Sequence, residues 1–340
     1  MNAMNLRRGT MSRRDALVAL GGMTLSLATG RAAATGRDDP IKIGMIGLDT
    51  SHVAAFAAVL NGAKMGDEAH GARVVAGYPG GSSDLPASAS RVQQHTNELK
   101  DKYGVEIVQD IAALLTKVDA VMIESVDGRP HLEQAKPVFA ARKRCFIDKP
   151  FTASLKDAKD IFELSKKHST PFFSCSCYRF APEILALRND KEVGKMIECE
   201  STYTMSIEPH HPDLFWYGIH GVEALYTVMG PGCEWVERTP GPELDVTKGG
   251  WKDGRIGVFR GVRKGKYENE VVLRGEKGEK RSEKPKGSIY YPLIVAVVKF
   301  FQTGKAPIDP EETLEIIKFM TAAQLSKERG AARVNLAELK

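Results

Sequence analysis

Six side chains able to do chemistry follow short apolar segments in the first half of the 340-residue chain. They are Asp49, His52, Glu124, Asp127, Asp148 and Lys149. If these segments are parallel strands, the six side chains meet at one edge of a sheet, where open α/β folds bind ligands. Carboxylates with a histidine suit a divalent metal such as zinc, and acidic groups also bind hydroxyl-rich sugars. A lysine desolvated in the same cleft can exchange protons near neutral pH.

The turn after the first apolar segment, 41–46, reads Gly47-Leu48-Asp49-Thr50-Ser51-His52 and leads into an apolar helix. Dinucleotide-binding folds carry G-x-G-x-x-G at this place. Only the first glycine is present, because Asp49 and His52 stand at the other two positions. At an effective dielectric constant of about 20, the repulsion between a carboxylate and a diphosphate charge about 4 Å away amounts to about 4 kcal/mol. Alternatively, Asp49, Thr50 or Ser51 caps the helix, and capping does not exclude a ligand role.

Alternating strands and helices predict a parallel sheet in the first half of the chain. The expected strands are 41–46, 73–78, 105–108, 120–124, 145–148 and 171–177, and the expected helices include 90–103, 111–117, 131–142 and 155–168. After residue 193, β-like segments at 196–206, 255–262 and 268–273, with glycine-rich turns at 249–250 and 275–278, predict an antiparallel sheet. Helices are expected at 289–302 and 310–329.

The predicted fold class is therefore α/β. We expect a Rossmann-type doubly wound parallel sheet over residues 37–177 and an α/β domain with an open antiparallel sheet over residues 178–340. The second domain is expected to bind substrate and mediate oligomerisation. The C-terminal helices can pack back on the first domain.

Residues 1–36 are predicted to be a twin-arginine signal peptide and linker. Arg13-Arg14 precedes an apolar stretch, 16–28, and then the small residues Ala32-Ala33-Ala34. The apolar stretch is too short for a stable membrane anchor. We expect export by the twin-arginine (Tat) machinery to the periplasm or another extracytoplasmic site, without an integral membrane anchor. The alternative is an N-terminal amphipathic helix.

The charge of the remaining chain argues against a nucleic-acid partner. The formal net charge is +5, but residues 1–34 contribute five arginines against Asp15. Removing this segment leaves a charge of about +1, without the clustered basic face that nucleic acid requires. The five cysteines lack the regular spacing of a disulfide framework. Cys175 and Cys177 are predicted to form a buried structural pair rather than a metal site.

The segments 119–125, His131 and 146–151 together resemble the Gfo/Idh/MocA oxidoreductases. In that family an Ala-Thr-Pro-like strand end, a histidine and a Glu-Lys-Pro signature follow one another. His220, within 217–225, resembles the family histidine on the helix that faces the substrate, and 300–308 with 310–312 is also family-like. The resemblance spans about residues 41–334. It implies an oxidoreductase acting on CH–OH groups of a small carbohydrate-like or polyol substrate, with NAD or NADP as cofactor, in a homo-oligomer.

Residue roles follow from this resemblance. Lys149 would polarise or protonate the reacting oxygen, and His220 would be its acid–base partner. The expected cofactor contacts are Gly47, Asp49, Thr50, Ser51, His52, Glu124, Ser125, His131, Asp148 and Lys149. Residues 78–81 lack the acid that many relatives use to bind the cofactor ribose, whereas Ser82 and Ser83 offer hydroxyls to a 2′-phosphate.

A second polar cluster, 208–213, precedes His220 and predicts substrate contacts. The expected substrate residues are Arg179, His210, His211, Asp213 and Trp216. Trp216 and its aromatic neighbours can stack on a sugar ring or pack as core, and Arg179 can bind substrate or pair with an acid. The two histidines can alternatively belong to a metal site in the second domain.

The altered glycine turn favours a different class of function. In this alternative, the chain is a non-redox lyase, hydrolase or isomerase of sugar derivatives that has lost ordinary dinucleotide binding. A divalent metal such as zinc would be bound by Asp49, His52, Glu124 and Asp127. A third possibility is a carbohydrate-binding protein without turnover.

Overall fold

The computed structural model describes residues 39–62, 69, 71–188, 190–265, 267 and 269–339. Residues 39–340 form one compact unit. The predicted signal segment, residues 1–36, lies outside the described residues. Among the helices that are described, none has both the length and the apolar character needed to cross a membrane.

A six-stranded parallel sheet organises the first domain, in the order β3-β2-β1-β4-β5-β6. Its strands are β1 (Ile41–Ile46), β2 (Ala72–Tyr78), β3 (Glu106–Ile107), β4 (Ala120–Ile123), β5 (Arg144–Asp148) and β6 (Phe172–Cys175). This is the Rossmann strand order, and the order reverses between β1 and β4. The carboxyl ends of these two strands therefore flank the crevice in which such folds bind ligands.

Helices cover both faces of this sheet, as a parallel sheet requires. They are α1 (Ser51–Asn61), α2 (Pro86–Ala89), α3 (Val92–Tyr103), α4 (Ile111–Leu115), α5 (His131–Ala140), α6 (Leu155–His168) and α7 (Pro182–Arg188). The side chain of Thr50 caps α1, and that of Ser154 caps α6. Capping at Thr50 fixes where α1 begins and so places His52 in its first turn.

The second sheet has seven strands in the order β12-β11-β7-β10-β9-β8-β13. They are β7 (Met196–Thr204), β8 (Cys233–Thr239), β9 (Leu244–Trp251), β10 (Ile256–Val262), β11 (Glu270–Gly275), β12 (Gly278–Arg281) and β13 (Val334–Asn335). The expected open sheet of this domain is confirmed, with one refinement. Its strands pair antiparallel except for β7 and β10, which are parallel.

Two of the predicted elements differ from the observed ones. Gly249 and Gly250, predicted as a turn, lie within β9. Glycine is needed there because a Cβ atom at Gly250 would lie 2.1 Å from the Trp235 indole. The strand predicted to reach Cys177 ends at Cys175, and a 3-10 turn occupies Cys177–Phe180. Both cysteines are buried and free.

The C-terminal helices join the two domains. α8 (Ile219–Met229), α9 (Tyr291–Thr303) and α10 (Pro310–Glu328) follow in chain order. Leu293, Ile294 and Val297 of α9 pack in the same buried cluster as Ile43 and Phe56 of the first domain. α9 therefore returns to the first domain and shares its core.

A buried ion-pair triad also connects these elements. Arg179 in the 3-10 turn contacts Glu312 of α10 at 2.5 Å and Glu223 of α8 at 3.4 Å. Burial raises the pKa of Glu223 to about 7, with Arg179 acting in the opposite direction and Glu312 adding to the rise. One guanidinium faces two carboxylates here, so Glu223 holds its proton into the neutral range.

This triad predicts a pH-dependent stability. At pH values between 4.5, the ordinary pKa of a glutamate, and about 7, Glu223 holds a proton in the folded chain but loses it in the unfolded chain. The contribution of Glu223 to the free energy of unfolding therefore decreases as pH rises through that window. Glu223→Gln removes this dependence. The stability of the variant relative to wild type should therefore increase with pH by up to about 3 kcal/mol.

Chemical denaturation at several pH values measures this difference. The exposed Glu328→Gln on α10 is the matched control and should show no such trend. A Glu223→Gln difference that is constant across pH would show that Glu223 is ionised throughout.

Candidate active site

Strand register sets the geometry of the crevice. Ile46 of β1 pairs with Ile123 of β4, and Ile123 pairs with Ile147 of β5. The next residue on each strand is Gly47, Glu124 or Asp148, so these three form a row along the carboxyl edge of the sheet. The structure thus brings the predicted residues of the turn, of β4 and of β5 to one place.

Asp49 occupies the centre of the turn and is fully buried. Its Oδ1 accepts a hydrogen bond from the Val126 amide at 2.9 Å, and its Oδ2 accepts one from Ser88 Oγ at 2.5 Å. Burial raises the pKa of Asp49 above its ordinary value, although both hydrogen bonds act in the opposite direction. Asp49 therefore ties the β1–α1 turn to the loop after β4 and to α2.

The loop after β2 closes over the same turn. Gly47 donates its amide to the Tyr78 carbonyl at 3.0 Å, and Leu48 donates to the Pro79 carbonyl at 2.7 Å. Gly47 has φ +84°, and a Cβ atom there would lie 2.1 Å from Ser125 Oγ, so glycine is required. Residues 47–50 are all buried, whereas Ser51 is exposed.

This arrangement bears directly on cofactor binding. A dinucleotide diphosphate binds at exposed amides of a helix N-terminus, in a positive environment. Here Pro79 and Ser88 contact the turn, and the turn carries the buried carboxyl group of Asp49. Asp49, hydrogen-bonded to Ser88, thus stands where the ordinary motif has the glycine that lets the backbone approach a diphosphate.

The second domain covers the outer part of the crevice. Leu85, from the loop that leads into α2, packs with Val126 and Trp216 in a small buried apolar cluster. Trp216, a predicted substrate residue, lies in a π-helical turn, Leu214–Gly218, that leads into α8. It serves here as a packing contact between the two domains.

Asp127 is held by charged and polar partners. Its carboxylate accepts hydrogen bonds from Ser82 and Arg129, and His211 Nε2 lies 3.1 Å from Oδ1. Burial alone would raise the pKa of Asp127, but His211, Arg129 and Ser82 outweigh it and lower the pKa. The predicted substrate residue His211 thus joins the second domain to the loop after β4. His210 instead contacts Glu208 at 2.7 Å.

A separate buried group lies deeper in the crevice. His52 Nδ1 is 2.5 Å from Asp148 Oδ2, and Glu124 lies beside them. Burial, followed by the neighbouring Asp148, raises the pKa of Glu124 well above its ordinary value. Burial also acts to raise the pKa of Asp148, but His52 and Lys149 outweigh it and lower the pKa.

These positions revise the alternative metal ligands expected from sequence. One potential ligand atom from each of His52, Glu124 and Asp148 lies within 4.8 Å of the other two. Asp49 and Asp127, the other two expected ligands, do not belong to this group. Their carboxyl oxygens are already engaged by the amide, hydroxyl, guanidinium and imidazole groups named above.

Lys149 and His220 approach the same aromatic ring from different domains. The Lys149 ammonium lies 5.0 Å from the centre of the Tyr217 ring and makes no hydrogen bond or ion pair with any described residue. The His220 ring centre is 5.8 Å from that of Tyr217. His220 Nδ1 lies 2.6 Å from Ser176 Oγ. Burial, followed by the charges of Lys149 and His52, lowers the pKa of His220 well below its ordinary value, so the imidazole is neutral.

His131 has a positioning role. Its Nδ1 lies 3.0 Å from the Phe151 carbonyl and its Nε2 lies 2.9 Å from the Ser125 carbonyl. It therefore connects the loops that follow β4 and β5, and burial lowers its pKa. Ser125 in turn exchanges hydrogen bonds with Gln134.

Two predicted substrate residues are engaged elsewhere. Arg179 belongs to the triad with Glu223 and Glu312. Asp213 accepts hydrogen bonds from Arg238 at 2.7 Å and from Lys327 at 2.6 Å. Both contribute charge pairs that hold the second domain together.

Sequence reasoning missed two serines that shape the site. Ser88 fixes Asp49, and Ser176 orients His220. Ser176 directly follows β6 in the Cys-Ser-Cys segment, and its place at a strand end is a signal that could have identified it. Ser88 lies in a long connection with no comparable signal.

Comparison with known proteins agrees with this architecture. Residues 41–174 match the family described as "Oxidoreductase family, NAD-binding Rossmann fold", named GFO_IDH_MocA. A curated relative, "Uncharacterized oxidoreductase YhhX" of Escherichia coli (strain K12), is 25% identical over 138 residues. That match covers 37% of this chain and 40% of the relative, so it spans well under half of either protein.

Solved structures extend the likeness in fold to both domains. Scyllo-inositol dehydrogenase from Lactobacillus casei has a TM-score of 0.71 and 18% identity, covering 88% of this chain and 99% of that one. Myo-inositol 2-dehydrogenase from Lactobacillus plantarum has a TM-score of 0.72 and 16% identity, covering 87% and 99%. An oxidoreductase from Agrobacterium radiobacter, in complex with NAD+, L-tartaric acid and magnesium, has a TM-score of 0.71 and 15% identity, covering 88% and 99%.

The family match and the sequence motifs identify the same residues. The strand-end segment, His131 and the Asp-Lys-Pro signature all fall within the matched range. The first domain of this chain, residues 41–174, is therefore similar to the NAD-binding Rossmann domain of the Gfo/Idh/MocA oxidoreductases.

Proposed function

We propose that this chain is an oxidoreductase that interconverts a CH–OH group and a carbonyl in a small carbohydrate-like or polyol molecule. The observation that carries the proposal is the convergence of Lys149 and His220 on Tyr217. The family description supplies a nicotinamide as the hydride carrier. The inositol dehydrogenases of the same fold support a polyhydroxylated substrate.

Lys149 and His220 have the charge states that this reaction requires. Oxidising a carbinol requires a base for the hydroxyl proton and a group that stabilises negative charge on oxygen. The neutral His220 is able to accept the proton at Nε2 in the tautomer whose Nδ1–H donates to Ser176 Oγ. Lys149 is mostly buried without an anionic partner among the described residues. Its ammonium is therefore available to the substrate oxygen.

Removing either group should reduce turnover. We expect Lys149→Met and His220→Gln each to lower kcat by about 100- to 10,000-fold, the usual contribution of positioned acid–base groups. Formation of reduced nicotinamide with a panel of inositols and hexoses measures the effect. Lys143→Met, a lysine of the same domain outside the crevice, is the matched control. Wild-type turnover in Lys149→Met would contradict the proposed role.

The proposal also requires the cofactor turn to open. The family's nicotinamide dinucleotide can reach residues 47–52 only after Ser88 releases Asp49 and residues 79–90 move away. The carboxyl charge at Asp49 opposes a diphosphate even then. Native affinity for NAD or NADP should consequently be weak.

Neutralising Asp49 should strengthen dinucleotide binding. Asp49→Asn keeps an acceptor for the Val126 amide and removes the charge, and Asp49→Gly restores the glycine of the ordinary motif. Each should raise the affinity for NAD+ or NADP+ by about tenfold or more, since about 1.4 kcal/mol corresponds to a factor of ten. Isothermal titration calorimetry measures the affinity, with the exposed Asp101→Asn as charge control. Weaker binding in both Asp49 variants would contradict this account.

A second candidate function is favoured by the buried group His52, Glu124 and Asp148. In that case the chain is a metal-dependent lyase, hydrolase or isomerase of sugar derivatives that needs no dinucleotide. An assay with a divalent metal distinguishes this non-redox function from the redox function. The non-redox function predicts that product forms without any change in nicotinamide absorbance.

The proposed location is the periplasm or another extracytoplasmic site, reached through the Tat machinery. Its support is the Arg13-Arg14 pattern with the apolar stretch and small-residue run that follow. Replacing both arginines with lysine should retain the protein in the cytoplasmic fraction of the cell. Export of this variant at the wild-type level would contradict the proposal.

Sedimentation of the exported protein should show the homo-oligomer expected from the family resemblance, and a monomer would contradict that expectation.

A further inference from the structure

The buried group formed by His52, Glu124 and Asp148 has an unusual composition. His52 comes from the first turn of α1, Glu124 follows β4 and Asp148 ends β5. Their exposed fractions are 7%, 0% and 1%. One potential ligand atom from each lies within 4.8 Å of the other two. Three different elements of the first domain thus converge on one enclosed point.

Glu124 is the residue that the rest of the structure does not explain. Neither of its carboxyl oxygens has a hydrogen-bond partner, and Asp148 Oδ1 is also without one. An isolated buried carboxylate is unfavourable by several kcal/mol or more, so buried charges are normally paired or coordinate metals. Its three carboxyl-bearing neighbours in the crevice each have partners. Glu124 must therefore be compensated at this point either by a proton or by a cation.

We propose that His52, Glu124 and Asp148 bind one divalent first-row metal ion, Zn²⁺ or Mn²⁺. One imidazole and two carboxylates form an ordinary ligand set for these ions, and two negative charges balance the ion. In a tetrahedral site with bonds of about 2.1 Å, ligand atoms lie roughly 3.4 Å apart. His52 Nδ1 and Asp148 Oδ2 lie 2.5 Å apart in a direct hydrogen bond, so these two side chains would have to separate by roughly 1 Å to hold an ion between them.

Neighbouring groups hold the ligands in place. The His52 ring packs against Phe56 at 5.3 Å and Tyr290 at 5.0 Å, measured between ring centres. Thr50 caps α1 and so fixes the backbone position of His52. Asp148 and Glu124 are held by the register of β4 and β5. The site is thus positioned by elements that are rigid without the ion.

The ligand count indicates a role in chemistry. Three protein ligands leave a coordination position open, as in catalytic rather than closed structural zinc sites. Lys149 adjoins Asp148 in sequence, and its charge influences both carboxyl groups of the site. A substrate hydroxyl or carbonyl oxygen bound to such an ion would then come under the influence of the Lys149 charge. This goes beyond the proposed redox function, because it requires no nicotinamide.

Metal binding by the purified chain tests the inference. The protein is treated with a chelator, dialysed and titrated with ZnCl₂ or MnCl₂ in an isothermal titration calorimeter, without substrate or nucleotide. We expect one ion per chain. Glu124→Gln should weaken binding by about 100-fold or more, since loss of even an outer-shell partner weakens it 10- to 100-fold. Glu133→Gln, an exposed acid on α5, is the matched control and should bind like wild type.

A shared proton is the competing explanation for Glu124. It predicts no ion in the wild-type protein and a thermal stability of Glu124→Gln equal to or above that of wild type. That result overturns the proposal, as does equal metal affinity in wild type and Glu124→Gln. His52→Asn gives a second test if Glu124→Gln does not fold, and it should also lose the ion. These outcomes are independent of dehydrogenase activity, so failure of one proposal leaves the other to be judged separately.

Discussion

The arrangement of this site depends on the hydrogen bonds and ion pairs made by buried acidic side chains at the C-terminal ends of the parallel strands. Asp49 is satisfied by an amide and a hydroxyl, Asp127 by an arginine, a histidine and a serine, and Asp148 by His52. Several of these partners come from other loops or elements than the acid they contact, so compensation draws those loops together. The crevice is closed for this reason. Glu124 alone among these four acids has no hydrogen-bond partner for either carboxyl oxygen within the described part of the chain, and this exception is the basis of the proposed metal site.

The same compensation explains how the two domains cooperate. His211 reaches Asp127 from the second domain, and Trp216 packs on the loop after β4. These contacts bring α8 towards the first domain, so that His220 and Lys149 meet at Tyr217. The charge of Lys149 also affects the protonation of His220. Burial and then the positive charge of Lys149 lower the pKa of His220, so the imidazole is neutral beside the ammonium.

Much of this architecture could be predicted from the sequence, because hydrophobic periodicity and helix caps are local. The first sheet, the helix at 155–168 and the placement of Lys149 and His220 on opposite domains follow from such patterns and from the family resemblance. The direction in which a side chain points was not predictable. Asp49, an expected metal ligand, points towards Ser88, and Asp148 lies beside His52 in its place. Tertiary contacts between distant loops decide these orientations. β9 escaped prediction because its glycines make room for an indole and are not a turn signal.

The central claim is that the Asp49 hydrogen-bond network and a dinucleotide diphosphate exclude each other at residues 47–52. A crystal structure of the protein grown with saturating NAD+ tests this claim most directly. The account predicts either no nucleotide at the turn, or a bound nucleotide with residues 79–90 withdrawn and the Ser88–Asp49 hydrogen bond broken. A diphosphate seated against residues 47–52 while Ser88 still donates to Asp49 would contradict it.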